Sequence, residues 1–221
     1  MHADTSTGGY SALAGAHPVF AELLRKNGDP PGWRRPPTFA TLTRLVLEQQ
    51  VSLASANAAF NRLETRIGSV SPSNLLTLND DELRRDGFSR QKAGYVRGIA
   101  EMIEASDLDL EAISRLEKED AIERLVAIRG VGRWTASCFV LFVNGAPDVW
   151  PTGDRALYVS MSRVLGLDGV PDRESCDHIA TAWSPYRSAA ARMLWHDYLG
   201  GKNYEPTDSG GFIDGEGIVS R

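Results

Sequence analysis

Apolar residues recur at helical spacing along most of the chain, and no stretch alternates like a half-buried strand. Phe39, Leu42, Leu45 and Val46 fall on one stripe, which predicts a helix from Thr38. Ser52 restarts the pattern as an N-cap, and Ala56, Ala59, Phe60 and Leu63 carry it to a stop at Gly68. Short helices follow from Ser71-Pro72 and from Asn79 or Asp80, the second ending at Gly87. A longer helix runs from Ser89 to Ala105 with Ala93, Val96, Ile99, Ala100 and Ile103 inward. Further helices are predicted over 118–128, 131–143, 154–165, 173–183 and 186–199. Ahead of them lie a small-residue tail over 1–16, a short run from Val19 to Lys26 and a proline-rich loop from Asn27 to Pro37 that holds Trp33. Helices joined by short turns make an all-α bundle.

The connection between the 118–128 and 131–143 helices carries the first candidate chemistry. It reads Leu125-Val126-Ala127-Ile128-Arg129-Gly130-Val131-Gly132-Arg133-Trp134-Thr135-Ala136. Two glycines one residue apart permit positive φ and close approach of an outside group to the backbone. The following helix then points free N–H groups and the positive end of its dipole at that group, a ready phosphate site. Taken alone, Gly-x-Gly is equally a tight turn that binds nothing.

Downstream, the loop Asn144-Gly145-Ala146-Pro147-Asp148-Val149-Trp150-Pro151-Thr152-Gly153 leads to Asp154 at the start of the next predicted helix. A helix N-terminus favours an ionised carboxylate, so Asp154 is expected to be held anionic at neutral pH. A fixed carboxylate stabilises the positive charge that develops on a sugar when its glycosidic bond breaks. Asp154 by itself is also an ordinary N-cap. Asp148 is the rival, expected to be a solvated loop residue.

The hairpin string, with an aspartate after a Pro-containing loop, resembles the helix-hairpin-helix DNA glycosylase superfamily over about 37–195. Gly-x-Gly-Arg-Trp-Thr-Ala, with Trp183-Ser184-Pro185-Tyr186-Arg187-Ser188 and then Leu194-Trp195, is similar to its branch of bacterial 3-methyladenine DNA glycosylase II. The resemblance implies two helical lobes with a DNA-binding cleft and base pocket between them. It implies that 1–36 contributes to the second lobe, that 37–143 forms the lobe with the hairpin, and that 144–204 forms the lobe with the aspartate. The stretch 205–221 is expected to be a loose tail, and the larger relative's N-terminal β domain is expected to be missing. Asp154 takes the catalytic position. Gly130, Gly132, Arg133 and Thr135 take phosphate-binding positions, and the carbonyls of Val126, Ile128 and Val131 are placed to hold Na+ or K+. No cofactor is required. Trp134 and Trp195 line the base pocket, where indole faces attract an electron-deficient alkylated base. Cys138 stands in that pocket where the relative has an aromatic residue. In Leu47-Glu48-Gln49-Gln50-Val51-Ser52, Gln50 matches the wedge that fills the hole left by a flipped base. Arg90 and Lys92 match a segment that approaches the DNA backbone. Bifunctional relatives carry a lysine at the Trp134 position, whose amine forms a Schiff base. Its replacement implies hydrolysis by water without strand nicking.

Composition narrows this reading. The net charge of −5 counts against binding nucleic acid by bulk positive charge, so a DNA partner requires a local backbone device such as the hairpin. The two cysteines cannot build an iron–sulfur cluster and are expected to be plain thiols. The four histidines lack metal-ligand spacing. No apolar run approaches the ~20 residues that cross a bilayer, and no signal peptide is visible, so a cytoplasmic location is expected. The expected partner is duplex DNA with a damaged base, bound by a monomer. The competing readings are a non-catalytic helix-hairpin-helix DNA-binding module and a bifunctional lyase.

Overall fold

The computed structural model describes residues 6–201, 204–206 and 212–214. In chain order the helices are α1 (Ser6–Ala16), α2 (Pro18–Asn27), α3 (Phe39–Glu48), α4 (Leu53–Ile67), α5 (Pro72–Leu76), α6 (Asp80–Arg85) and α7 (Arg90–Glu104). They continue with α8 (Leu110–Ser114), α9 (Lys118–Val126), α10 (Arg133–Phe139), α11 (Arg155–Leu165), α12 (Arg173–Thr181) and α13 (Arg187–Tyr198). The caps expected from the sequence do their work. Ser52 accepts from the Ser55 amide, Ser89 from that of Lys92, and Asn79 forms a capping box with Glu82. Gly68 stops α4 with φ 74°.

The helices group around two packing centres. α3 lies against α4, α7 and α10, α5 packs on α7, and α9 packs on α10. Separately, α13 is the hub against which α1, α2 and α11 pack. Residues Ser188 to Asp197 of α13 are all buried, charged ones included. The centres meet where Phe142 stacks on Trp195 and where buried Arg192 donates to the Leu141 carbonyl. Among the described residues no helix is long and apolar enough to cross a membrane.

Four features differ from expectation. The small-residue tail contains helix α1. Tyr10 and Leu13, three residues apart, are both buried, and α1 packs on α2 and α13. Their burial contributes about 2 kcal/mol each, enough to offset the roughly 1 kcal/mol that each helical glycine costs relative to alanine. Gly9 permits the approach: a Cβ there would lie 3.1 Å from the Ala189 Cβ. Helix α8 was not expected; it forms because Leu110 and Ile113 bury one face. The helix begun by α10 widens into a π-helical turn, Val140–Asn144, closed by the Gly145 amide on the Val140 carbonyl at 3.1 Å. Near the C-terminus, where a loose tail was expected, β1 (Tyr204–Pro206) pairs antiparallel with β2 (Phe212–Asp214), Tyr204 opposite Asp214. The rest of the expected tail lies outside the described residues.

Candidate active site

The hairpin between α9 and α10 is a local construction. The Val131 amide donates to the Ile128 carbonyl at 3.0 Å, closing the turn. Gly130 has φ 90°, and a Cβ there would meet the Tyr95 ring at 2.2 Å, so glycine is required twice over. Gly132 differs from the expectation of positive φ. Its φ is −82°, and nothing lies within 4 Å of where its Cβ would stand. What glycine supplies there is open space beside the start of α10. Thr38, Ser52 and Asp154 cap their helices with side-chain oxygens, whereas Gly132 brings no side chain to α10. The first-turn amides are therefore left for an outside acceptor. Arg129 and Arg133 flank this opening, both exposed.

Asp154 is the N-cap of α11, its Oδ1 accepting from the Leu157 amide at 2.9 Å. Its Oδ2 accepts from Trp134 Nε1 at 2.9 Å, and the Trp195 side chain lies near enough to help lower the pKa of the carboxyl. The lone acid group and the two indoles thus converge, with Trp134 half-buried and Asp154 only 8% exposed. The loop before Asp154 is pinned by Asp177. That carboxylate accepts from Trp150 Nε1 at 2.9 Å, from the Tyr158 hydroxyl at 2.8 Å and from Thr152. The Tyr158 oxygen in turn accepts from the Gly153 amide at 2.6 Å. Burial pushes the Tyr158 phenol up to about 12.

The electrostatics of Asp154 correct the expectation that the helix N-terminus dominates. Burial pushes its carboxyl above the ordinary value of 3.8, and the Leu157 and Ala156 amides and the two indoles act against that rise without cancelling it. None of the donors is a cation.

Trp195, itself buried, packs among aromatic rings. Phe142 stacks on it at 5.4 Å between centroids, and Trp33 meets it edge-on at 6.3 Å. Cys138 lies in the packed interior, 1% exposed, its thiol pushed well up by burial and by the nearby Asp154 and Glu48 charges. Both cysteines are free and buried. Three residues here were not singled out from the sequence: Arg35, Glu48 and Phe142. Arg35 pairs with Glu48 at 3.2 Å and sits 4.8 Å over the Phe142 ring. Trp134, Cys138 and Phe142, four apart in succession, were the available signal for Phe142. Nothing local announced the Arg35–Glu48 pair.

The remaining expected DNA contacts divide. Gln50 is exposed, in the turn between α3 and α4, with φ 56°. Arg90 is exposed at the start of α7. Lys92 differs from expectation: its ammonium donates to the carbonyls of Leu47 and Gln49, both at 2.7 Å, and so is committed to protein rather than to a phosphate. Thr135 is buried, its hydroxyl accepting from Gln49, which leaves only its backbone facing the α10 opening. Asp148 is not a solvated loop residue. It is half-buried against Arg187, which donates to both its oxygens at 2.7 Å.

A family model for the HhH-GPD superfamily base excision DNA repair protein matches residues 43–185. DNA-3-methyladenine glycosylase 1 of Schizosaccharomyces pombe is 30% identical over 161 residues, covering 71% of this chain and 71% of the relative. YfjP of Bacillus subtilis, a candidate DNA-3-methyladenine glycosylase, is 28% identical over 165 residues, covering 71% of this chain and 58% of YfjP. Among solved structures, S. pombe 3-methyladenine DNA glycosylase (Mag1) in complex with abasic DNA superimposes with a TM-score of 0.77 at 28% identity, covering 86% of this chain and 95% of that one.

Proposed function

Because this chain belongs to the HhH-GPD superfamily of base excision DNA repair proteins, we propose that it is a monofunctional DNA glycosylase that flips an alkylated purine of the 3-methyladenine or 7-methylguanine type out of duplex DNA and hydrolyses its N-glycosidic bond. The observation that carries this reading is the hydrogen bond from Trp134 Nε1 to Asp154 Oδ2. It joins the indole that this reading assigns to the base to the carboxyl that it assigns to the sugar, and Trp134 is two residues from Gly132 of the hairpin.

The hairpin amides and Arg133 take a phosphate of the lesion strand, which a chain of net charge −5 requires of its backbone. Gln50 enters the stack as the base leaves. The indole faces of Trp134 and Trp195 hold an alkylated base, whose positive charge they favour. The C1′–N bond then breaks with its electron pair leaving on the base. The Asp154 carboxylate stabilises the oxocarbenium ion that develops. A water oxygen bonds to C1′ and loses a proton, completing hydrolysis to an abasic site. The donors around Asp154 are indoles and backbone amides, none a nucleophilic amine, which supports water over a Schiff base. The carbonyls of Val126, Ile128 and Val131 are proposed to hold a monovalent cation. A set of neutral oxygens where α9 ends suits an alkali ion better than a divalent one. Such an ion would steady the turn.

The test is a panel of lesion-bearing duplexes scored for abasic sites by alkaline cleavage, with Asp154→Asn alongside. Release of an alkylpurine by the wild type, an intact strand before alkali and a silent Asp154→Asn are expected. DNA binding with no base released from any duplex would reduce the protein to a binding module. Borohydride trapping of a covalent adduct would make it a lyase.

A further inference from the structure

The turn that presents Gln50 is tied down from two sides, and both ties meet at Gln49. Its side chain reaches the hairpin, Nε2 donating to the Gly130 carbonyl and to the Thr135 hydroxyl, both at 2.9 Å. Its main-chain carbonyl accepts from Lys92 Nζ at the start of α7. Next in the chain, Gln50 is held at φ 56°, a conformation uncommon for a residue with a side chain, and both Gln50 and Val51 are exposed. A turn held in this way projects its tip without being free to relax. The two atoms that receive Gln49 belong to the hairpin itself: Gly130 is its left-handed glycine, and Thr135 lies in the first turn of α10. The hairpin cannot shift relative to the Gln50 turn without breaking both bonds.

We propose that Gln49 is a positioning residue that couples the seating of the hairpin on the DNA backbone to the insertion of Gln50 into the base stack. The inference rests on the base-flipping reading above. It assigns to Gln49 neither a base contact nor a phosphate contact. An amide is required because the Gly130 carbonyl can only accept, so a carboxylate at the same place would face it without a proton to share.

The measurement uses the full chain and duplexes with 2-aminopurine beside the lesion, whose fluorescence rises as the neighbouring base unstacks. Flipping rate, single-turnover excision, affinity for undamaged duplex and thermal midpoint are read for the wild type, Gln49→Leu and the isosteric Gln49→Glu. Loss of two hydrogen bonds in Gln49→Leu predicts flipping slowed about tenfold or more. Gln49→Glu loses the bond to the Gly130 carbonyl, while the Thr135 hydroxyl can turn to donate, and should slow flipping in the same direction. Affinity for undamaged duplex should stay within about twofold because the hairpin amides and Arg133 remain. The deficit should largely vanish when the lesion faces an abasic gap, where little pairing resists extrusion. A merely structural role would not produce that dependence on the opposite strand. Flipping at the wild-type rate, an equal deficit at paired and unpaired lesions, or a deficit that follows the loss of DNA affinity would each overturn the coupling. Should Gln49→Leu fail to fold, Lys92→Gln releases the same turn from its other side and must show the same strand dependence. A wild type that unstacks DNA yet releases no base defeats the glycosylase reading and leaves the fluorescence to decide the coupling. A wild type that unstacks none of the duplexes defeats the coupling itself.

Discussion

Asp154 and Asp197 are both buried aspartates, and the protein pulls their carboxyls in opposite directions. Asp197, on α13, receives Arg163 from α11, Lys26 Nζ at 3.2 Å, Asn27 Nδ2 at 3.2 Å and Ser160 Oγ at 3.0 Å. Burial pushes its carboxyl up, but the arginine, the amide, the lysine and the hydroxyl together outweigh that and hold it low. Asp154 is the more heavily desolvated of the two, its donors are all neutral, and burial wins. Hydrogen bonds alone orient a carboxylate; cations also neutralise it. A neutralised carboxylate joins helices. One left without a counter-ion keeps its field available for a positive charge arriving from outside, which the proposed reaction delivers. Asp148, saturated by Arg187, belongs with Asp197.

The largest effect expected from this contrast is on activity. Asp154→Asn should lower single-turnover excision by at least about 10³-fold, the scale on which a positioned electrostatic group acts. Asp197→Asn should leave excision per folded molecule near the wild-type value. Comparable losses in both variants would mean that the counter-ion does not separate the two roles.

Next in size is stability. Arg163 and Lys26 are half exposed and can be rehydrated when Asp197 is lost. The cost falls instead on Ser160 and Asn27, both buried, each left with an unmet group at about 1–3 kcal/mol. Asp197→Ala is therefore expected to cost about 3 kcal/mol in denaturant unfolding. A cost below 1 kcal/mol would show that water replaces the lost partner.

How legible these sites were follows from the range of their contacts. The hairpin could be read because its glycines and the helices on either side are adjacent in the chain. Asp154 could be read because an N-cap before an apolar run is a local signal. Its meeting with Trp134 and Trp195 came only through resemblance, since periodicity does not say which helices face one another. Gln49 stood in plain view beside Gln50, but its partners Gly130 and Thr135 lie more than eighty residues away. The cations of Asp197 also come from other helices, Lys26 at a separation of 171 and Arg163 at 34. Helix α1 was missed because intrinsic propensity speaks against its glycines, and only its burial against α13 outweighs them.

The two aspartates should also respond oppositely to pH. Asp197 is depressed below 3.8, so its contribution is present above that value and is lost as pH falls through the folded one. The stability gap between wild type and Asp197→Asn should narrow below about pH 4. Asp154 is raised, so the native state holds that proton longer than the unfolded chain. Its favourable contribution is full below 3.8 and is lost as pH rises through the folded value. Relative to Asp154→Asn, the wild type should lose stability across that higher window and then level off. Over the same window excision should rise, because only the ionised carboxylate stabilises the sugar cation. Thermal midpoints against pH for the three proteins would reveal the opposite slopes, and parallel curves would refute the assignment.

The smallest effect probes one donor. Trp134→Phe keeps an aromatic face for the base and removes only the hydrogen bond to Asp154 Oδ2. A hydrogen bond to a charged group contributes about 1.5 kcal/mol, close to one pH unit. The acid limb of the excision profile should therefore move up by about one unit, while the rate on its alkaline plateau changes little. An unchanged limb with a lower plateau would assign Trp134 to holding the base alone. A limb shifted downward would mean that water, entering where the indole nitrogen had been, solvates the carboxylate better than the indole does, and that dryness rather than donor number sets the charge of Asp154.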